Sequence, residues 1–325
     1  MVRQPTAHEK HQTNHRLEKI RVHRMNKTVV ITGASSGIGR ACVLQMSRAG
    51  WQVFAGVRKP EDKADLLAER IPDVIPIRID LEDRGSVVAA AEQVTSQLRG
   101  SGLDALVNVA GIGMIRPMEY VQENDLKRIF DVNVFGQIVL TQAFLPLLQK
   151  SRGRIVNITS VGVHIAIPFG GPLNASKSAF GMFSDTLRLE LRPFGVRVIA
   201  IEPGAISTPA VDKTLGDVEG VIRQLPEAGR LQYAEMLRSM AQHGYEQEKN
   251  GSPPEVVSRA VLQALTASRP RIRYRVGKHA SLLAALGRFI PDGLLDVLRL
   301  RALGLPTEFG ILKYPDADRS SDRAA

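Results

Sequence analysis

The sequence has almost no cysteine: Cys42 is the only one among 325 residues. A single thiol cannot form an internal disulfide, a cysteine zinc site or a two-thiol redox motif. Four of the seven histidines lie in the first 26 residues without metal-ligand spacing, so we predict no metal site. Because free thiols persist in reducing compartments, we expect a cytoplasmic protein.

Long apolar segments are also missing. No uninterrupted stretch of about 18 apolar residues occurs, and the N-terminal segment lacks the apolar core of a secretory signal. We therefore expect no membrane-spanning helix. Hydrophobic residues make up 44% of the chain and charged residues 23%, which is typical of a globular protein with a large core.

The net charge of +10 is concentrated in two segments. Residues 1–26 carry six basic and two acidic side chains, and residues 269–301 carry eight and two. We interpret residues 1–25 as a disordered basic tail, with Met25 as an alternative start, and both charged segments as solvated surface. Side chains of a strand alternate between faces, which makes Arg269–Arg275 a weak nucleic-acid site, and we expect no nucleic-acid partner.

From Thr28 onward, short β-branched segments alternate with longer segments of helical periodicity. This pattern predicts an α/β fold, a doubly wound and mostly parallel sheet covered on both faces. We predict one domain over residues 26–306 and a tail over residues 307–325. The predicted strands are Thr28–Thr32, Gln52–Val57, Val74–Ile79, Ala105–Val109, Arg154–Thr159, Val196–Glu202 and Ile272–Val276.

Helix boundaries can be assigned at two places. A helix over Ile38–Ala49 ends at Gly50, and Ser252-Pro253-Pro254-Glu255 has the pattern of a capping box. Between the sixth strand and that second helix, residues 205–251 are too long for an ordinary loop. We interpret them as a lid with short helices at Val218–Leu225 and Leu231–His243, the alternative being a surface insertion.

A glycine-rich turn follows the first predicted strand directly and opens a helix. Glycines let the backbone approach a pyrophosphate, and the free N–H groups of a helix N-terminus attract its charge. The strand–turn–helix context supports a dinucleotide site over a mere connection. The candidate phosphate-binding residues are Gly33, Ser35, Ser36, Gly37, Ile38 and Gly39.

The end of the second strand bears on cofactor choice. An enzyme selecting NAD places an acid there on the ribose 2′-hydroxyl, whereas this chain has Arg58. An arginine suits a 2′-phosphate, and Arg40 and Lys59 are nearby cations. We therefore predict NADP(H), the alternative being that these cations are solvated surface residues.

Further motifs make the sequence resemble the short-chain dehydrogenase/reductase family over roughly Asn26 to Pro306. Among the branches of that family, the sequence resembles the 17β-hydroxysteroid and retinol dehydrogenase-like group. The motifs are Asp80-Leu81, Asn108-Val109-Ala110-Gly111, Val132-Asn133-Val134, Ser160-Val161-Gly162, Pro168-Phe169, Ala175-Ser176-Lys177, Pro203-Gly204, Ile206 and Thr208. The resemblance implies a Rossmann fold and an oxidoreductase.

The resemblance also implies roles for matching positions. Asp80 and Leu81 would lie near the adenine and Asn108, Ala110 and Gly111 along the cofactor. Lys177 would hold the nicotinamide ribose, and Pro203, Gly204, Ile206 and Thr208 would lie beside the nicotinamide. Ser160, Asn133 and Lys177 belong to the family's catalytic set. For Asn108 and Asn133 the alternative is polar residues satisfied by the backbone.

The family's catalytic tyrosine has no counterpart in this sequence. It lies four residues before the active-site lysine and 13 after the serine, and both spacings lead from Lys177 and Ser160 to Leu173. Leucine cannot donate a proton, and losing a positioned general acid removes about 10²–10⁴ in rate. The candidate substitutes are Tyr120, His164 and Tyr233. The alternatives are that Tyr120 lines the cleft or packs the lid and that His164 is structural.

The sequence supports two hypotheses for the function. The first is an NADP(H)-dependent oxidoreductase acting on a lipophilic carbonyl or alcohol, with impaired or altered catalysis. The second is an NADPH-binding pseudoenzyme with a regulatory or structural role. The family resemblance also implies a homodimer or homotetramer through the helices around Asn133–Leu148 and Asn174–Leu191. The amphipathic segment Ser281–Leu303 packs on the domain or forms a peripheral membrane contact.

Overall fold

A computed structural model describes residues 27–311, so the predicted tail of residues 1–25 and most of the tail after residue 306 lie outside the described residues. Seven parallel strands form one sheet in the order β3-β2-β1-β4-β5-β6-β7. The doubly wound α/β prediction is confirmed, and each predicted strand is present to within one residue at either end. The strands are β1 Thr28–Ile31, β2 Gln52–Val57, β3 Val74–Arg78, β4 Ala105–Asn108, β5 Arg154–Ile158, β6 Arg197–Pro203 and β7 Arg273–Val276.

The helices connect these strands and cover both faces of the sheet. They are α1 Gly37–Arg48, α2 Pro60–Ala68, α3 Arg84–Gln97, α4 Glu123–Phe130, α5 Gly136–Ser151, α6 Gly171–Glu190, α7 Pro209–Leu215, α8 Val218–Arg223, α9 Glu227–Lys249, α10 Glu255–Thr266, α11 Ala280–Phe289 and α12 Asp292–Ala302. A π-helical turn, Asp131–Phe135, joins α4 to α5, and a short 3₁₀ turn, Val161–Val163, follows β5.

Two apolar cores lie on opposite faces of the sheet because successive residues of a strand point to opposite sides. Val29 and Ile31 of β1 pack with α1 and α10, whereas Val30 packs with α3 and α5. The order of strands reverses between β1 and β4, which are neighbours although two strands separate them in the chain. In such sheets a crevice forms at the carboxyl ends of the strands at this reversal.

The segment after β6 is helical, but it differs from the prediction in detail. It contains three helices rather than two, because α7 begins directly at Pro209, a favourable first-turn residue. Helix α9 extends well beyond the predicted Leu231–His243, because Leu237, Met240 and Ala241 at helical spacing are buried. The segment therefore packs by its own apolar residues.

The predicted capping box at Ser252 is wrong. Helix α10 begins at Glu255 after Pro254, and no side chain caps it. The backbone N–H of Ser252 instead donates to the carbonyl of Ala205 at 2.9 Å, and its carbonyl accepts from the N–H of Ser207 at 3.0 Å. This extended pairing holds Ser252 away from the helix terminus.

One described helix bears on the expectation that no helix spans a membrane. The continuous helix over Glu123–Ser151 is long and apolar enough to cross a membrane, judged by length and composition. Half of its most apolar stretch is buried, and Leu140, Phe144 and Leu148 belong to the apolar core beneath the sheet. A core helix passes the same length and composition criteria.

Candidate functional site

A cleft of about 520 Å³ opens at the carboxyl ends of the strands around β1 and β4. Twelve of the sequence-predicted cofactor residues line it, and they come from the glycine-rich turn, the ends of β2 and β3, the segment after β4 and the start of α7. These residues are Gly33, Ser35, Ser36, Gly37, Ile38, Gly39, Arg58, Asp80, Leu81, Ala110, Gly111 and Thr208.

The glycine-rich turn has the geometry of a phosphate cradle. Gly33 and Gly37 adopt φ values of +64° and +52°, in the left-handed region that favours glycine. A Cβ at Gly39 would overlap the carbonyl oxygen of Gly33. Ser36 precedes α1 without making a side-chain capping bond, so the first N–H groups of the helix face the cleft without a side-chain acceptor. These donors fit a pyrophosphate.

Cations and carboxylates meet at the adenosine end of the cleft. Arg58 is 47% exposed, and its Nη1 lies 3.9 Å from the carboxylate of Glu82. Glu82 is also paired with Arg128, whose Nε lies 3.1 Å away. Lys59 lines the cleft as expected, but Arg40 does not: its guanidinium pairs with Glu69 instead. Of the three predicted cations, Arg58 and Lys59 therefore line the cleft, beside the carboxylate of Glu82.

Several predicted residues lie behind the cleft rather than in its wall. The amide of Asn108 is buried and donates to Asn157 Oδ1 at 2.8 Å and Thr141 Oγ1 at 3.2 Å. Ile206 is a core residue, and Gly204, next to Pro203, packs closely on the carbonyl of Lys278. Their direct role is to join β4 and β6 to neighbouring elements.

Asn133 organises the wall of the cleft from the π-helical turn. Its side-chain oxygen accepts from the N–H of Ile112 at 2.8 Å, and its amide nitrogen donates to the carbonyl of Ile112 at 2.9 Å. The same amide donates to Ser176 Oγ at 3.0 Å. Asn133 thus fixes the segment after β4 against α6, and π-turns of this kind are frequent at functional sites.

Lys177 lies on α6 beneath that segment. Its Nζ donates to the carbonyl of Ile158 at 3.0 Å, and a Cβ at Gly111 would lie 3.4 Å from the same Nζ. Loss of hydration around the ammonium group lowers the pKa of Lys177 to about 8. A charged donor close to its titration point therefore faces the wall of the cleft at Gly111.

Ser160 and Leu173 do not line the cleft themselves, but they lie on two segments that contact each other, since a Cβ at Gly162 would be 3.2 Å from Asn174 Oδ1 of α6. Ser160 precedes the 3₁₀ turn after β5, and its Oγ accepts from the N–H of Gly162 at 3.0 Å, which leaves its hydroxyl proton for another acceptor. Leu173 lies one turn before Lys177 on α6. Its Cδ2 would be 3.2 Å from a Cβ at Gly113, so the leucine side chain packs on the segment after β4.

The three candidate substitutes for an acid have other contacts. His164 Nε2 lies 3.1 Å from Glu202, a fully buried carboxylate. Tyr120 packs edge-on against Tyr233 with ring centroids 6.0 Å apart, and the Tyr233 hydroxyl donates to Glu119 at 2.9 Å. The expectation that Tyr120 packs the lid is confirmed.

The arginines of β7 also have internal partners. Arg275 Nε donates to Glu202 at 3.2 Å, and Arg273 pairs with both Glu202 and Asp185. The expectation that strand alternation places these arginines on opposite faces is wrong, because they occupy every second position and share one face. The positive charge of this strand is therefore paired inside the protein, chiefly with the shared carboxylate of Glu202.

Sequence reasoning missed part of the cleft. Lys213 and Thr214 of α7 and Gly113 after β4 line it, as does Arg128 of α4. The Thr208-Pro209 pair is a helix-start signal that would have placed α7 at the cleft. No comparable local signal marks Arg128, which reaches the cleft through the packing of α4.

Comparisons with known proteins agree with this architecture. The model of the short chain dehydrogenase family matches residues 27–218. Mouse retinol dehydrogenase 5 is 35% identical over 86% of this chain and 90% of its own length. An NADPH-dependent 3-dehydrocapnine reductase of Ornithobacterium rhinotracheale is 33% identical over 82% and 94%.

Solved structures agree as well. A short-chain dehydrogenase from Streptomyces avermitilis superimposes with a TM-score of 0.64 at 26% identity, over 86% of this chain and 95% of that one. A Burkholderia cenocepacia short chain dehydrogenase in complex with NADP gives 0.63 at 25% identity, over 86% and 98%. The chain therefore belongs to the short-chain dehydrogenase family, among its retinol dehydrogenase-like members.

Proposed function

We propose that the protein is an NADP(H)-dependent oxidoreductase acting on a lipophilic carbonyl or alcohol, with catalysis impaired or altered by Leu173. One juxtaposition carries this proposal. The cleft holds the glycine-rich turn and Arg58, and Asn133, Lys177 and Leu173 lie directly behind its wall at Gly111 and Gly113. Ser160 directly precedes the 3₁₀ turn that contacts the same helix α6. Leu173 is the apolar member of this catalytic group, whose other members are Asn133, Lys177 and Ser160.

The residues present fit the cofactor. The N-terminus of α1 and the left-handed glycines hold the pyrophosphate, and Arg58 with Lys59 binds the 2′-phosphate through charge-assisted hydrogen bonds. Lys177 donates to the nicotinamide ribose. NADPH, when bound, supplies the hydride. Support comes from the Burkholderia structure, which is in complex with NADP, and from the Ornithobacterium relative, named as NADPH-dependent.

The chain's own groups then act on the substrate oxygen. The Ser160 hydroxyl, oriented by the Gly162 N–H, donates a hydrogen bond to the carbonyl oxygen opposite the nicotinamide. Leu173 supplies neither a hydrogen bond nor a proton at the position of the family's tyrosine. Orientation of the substrate still contributes to the rate, so slow reduction remains while general acid catalysis is absent.

An apolar lid supports a lipophilic substrate. Phe169, Val218 and Val221 pack with the buried Ile222, Leu225 and Leu237 above the catalytic group. Two relatives are named retinol dehydrogenases, and retinol is a lipophilic alcohol. The lid excludes water from the catalytic group when substrate is bound.

The oligomeric state and the cellular location of the protein are also part of this proposal. We propose a cytoplasmic homodimer or homotetramer that associates through α6, where Met182, Phe183 and Leu189 are exposed. For the region around α11, the second candidate is a peripheral membrane contact. The exposed side chains of Leu282 and Phe289 support it.

Two measurements test the function. Fluorescence titration with NADPH and NADH should give binding with NADPH preferred, and steady-state NADPH oxidation should be slow but measurable on a panel of steroid, retinoid and 3-oxoacyl carbonyls. Binding without turnover on any of them favours the second candidate, an NADPH-binding pseudoenzyme, for which the apolar Leu173 is the motivating observation. No binding of either nucleotide contradicts both.

A further inference from the structure

A buried arginine lies beneath the lid without a carboxylate partner. Arg116, in the segment after β4, is only 8% exposed. Its Nη2 contacts the side-chain oxygen of Gln224, a neutral group in the turn between α8 and α9, and its buried Nε has no hydrogen-bond partner. Within residues 27–311, no acidic side chain lies within ion-pair distance of its guanidinium.

The position of Arg116 ties it to the catalytic group. Its backbone N–H donates to the carbonyl of Phe169 at 2.8 Å, in the loop that runs from Ser160 to α6. Three residues earlier, Gly113 packs on Leu173 and lines the cleft. Three residues span at most roughly 10 Å, so the backbone of Arg116 lies within about that distance of Gly113, the cleft residue that packs on Leu173.

Burying a guanidinium among apolar groups is costly unless an anion pairs with it. Neighbouring Ile115 belongs to the apolar cluster under the lid, and the Gln224 oxygen is a weaker acceptor than a carboxylate. The polar atoms left on Arg116 are therefore suited to an acceptor that bears a full negative charge.

We propose that Arg116 binds an anionic group of the substrate, a carboxylate in the first instance, at a site removed from the reacting carbonyl. This inference rests on the proposed function and narrows its substrate class from lipophilic carbonyls to amphipathic oxo acids. The acid displaces the Gln224 oxygen from Nη2 and fills the hydrogen-bonding position at Nε, so that two donors hold the anion.

Matched pairs of substrates test this directly. Straight-chain keto acids that span a range of lengths between ketone and carboxylate would be compared with their methyl esters, using NADPH and the full chain. The parent should prefer the acid over the ester by about 10-fold or more in kcat/KM, expressed mainly in KM. Arg116→Gln should remove that preference, and Arg116→Lys should keep part of it.

A second variant distinguishes anion binding by Arg116 from a purely structural contact between Arg116 and the lid. Gln224→Ala removes the lid contact but leaves the guanidinium, so it should retain the preference for the acid. Arg223→Gln, an exposed lid arginine, is the control for general electrostatics and should also retain it. If Gln224→Ala lowers the preference as much as Arg116→Gln, Arg116 only fastens the lid and the inference is overturned.

A binding measurement keeps the test independent of turnover. Calorimetric titration of a saturated fatty acid into the NADPH-loaded protein should detect binding that is at least about 10-fold weaker in Arg116→Gln and unchanged in Arg223→Gln. Equal reduction of acids and esters, with Arg116-independent fatty acid binding, overturns the inference while leaving the proposed function intact. Arg116-dependent binding without reduction of any carbonyl contradicts the proposed function and retains the anion site.

Discussion

The phosphate-binding region has all the groups that its proposed role requires, whereas the catalytic group lacks a proton donor. At the phosphate end, left-handed glycines, an uncapped helix N-terminus and cations at the end of β2 meet in one wall. Around the catalytic group, Asn133, Lys177 and Ser160 make hydrogen bonds of 2.8–3.0 Å, yet Leu173 provides only apolar surface. The comparison teaches that cofactor binding and proton transfer are separable, because they depend on different residues of one scaffold.

Reversing the charge at Arg58 should have the largest effect. Arg58→Asp removes the cation that faces a 2′-phosphate and introduces repulsion, whereas a carboxylate can accept from the 2′-hydroxyl of NADH. We expect the ratio of NADH to NADPH dissociation constants to change by about 10³-fold in favour of NADH. Fluorescence titration measures both constants.

The control for Arg58 is Arg78→Gln, a change in an exposed arginine at the end of β3 that pairs with Asp83 and does not line the cleft. That variant should retain the parent's nucleotide preference. An Arg58→Asp protein that still prefers NADPH would contradict the assignment of the 2′-phosphate site.

Titration of Lys177 should affect NADPH binding more modestly. In the proposed function the ammonium form donates to the ribose, and burial lowers the pKa of Lys177 to about 8. Affinity should therefore be full well below pH 8, about half of that at pH 8, and lower still as the pH rises, by up to about 30-fold at pH 9.5. Isothermal titration at a series of pH values measures the midpoint.

Lys177→Met supplies the matching control, since it should bind NADPH weakly at pH 7 and show no step near pH 8. Cys42 does not interfere, because burial raises the pKa of its thiol to about 12. A parent protein whose NADPH affinity stays constant between pH 7 and 9.5 would argue against contact between Lys177 and the ribose.

The smallest effect is expected at His164. A glutamine there retains a donor for Glu202, so His164→Gln should leave NADPH oxidation within about two-fold of the parent, while Ser160→Ala should lower it at least several-fold. The comparison of these two variants is made by steady-state rates on one slowly reduced carbonyl. A loss of about 10²-fold in His164→Gln would identify His164 as the replacement acid.

Features specified by local sequence were predictable. All seven strands follow from β-branched segments of the right length, and the turn at Gly33–Gly39 follows from its position between a strand and a helix. Both depend on residues close together in the chain. The phosphate end of the cleft could therefore be assigned before any tertiary contact was known.

Features that depend on distant partners were not predictable. Arg40 is diverted from the cleft by Glu69, 29 residues away, and Asn108 is occupied by Asn157 on the neighbouring strand. Ser252 fails to cap α10 because it pairs with Ala205. The isolation of Arg116 is likewise a property of its surroundings, since no pattern in the sequence marks an arginine that lacks a carboxylate.

The central claim is that the protein carries a complete cofactor site beside a missing proton donor. Single-turnover reduction of a carbonyl by the preformed NADPH complex tests it most directly, in the parent, Leu173→Tyr and Leu173→Phe. The tyrosine variant should be faster by about 10²-fold with its NADPH dissociation constant unchanged. The phenylalanine variant, which adds the ring without the hydroxyl, should gain nothing. A folded Leu173→Tyr protein that binds NADPH without gaining rate, or a Leu173→Phe protein that gains as much, would contradict the account.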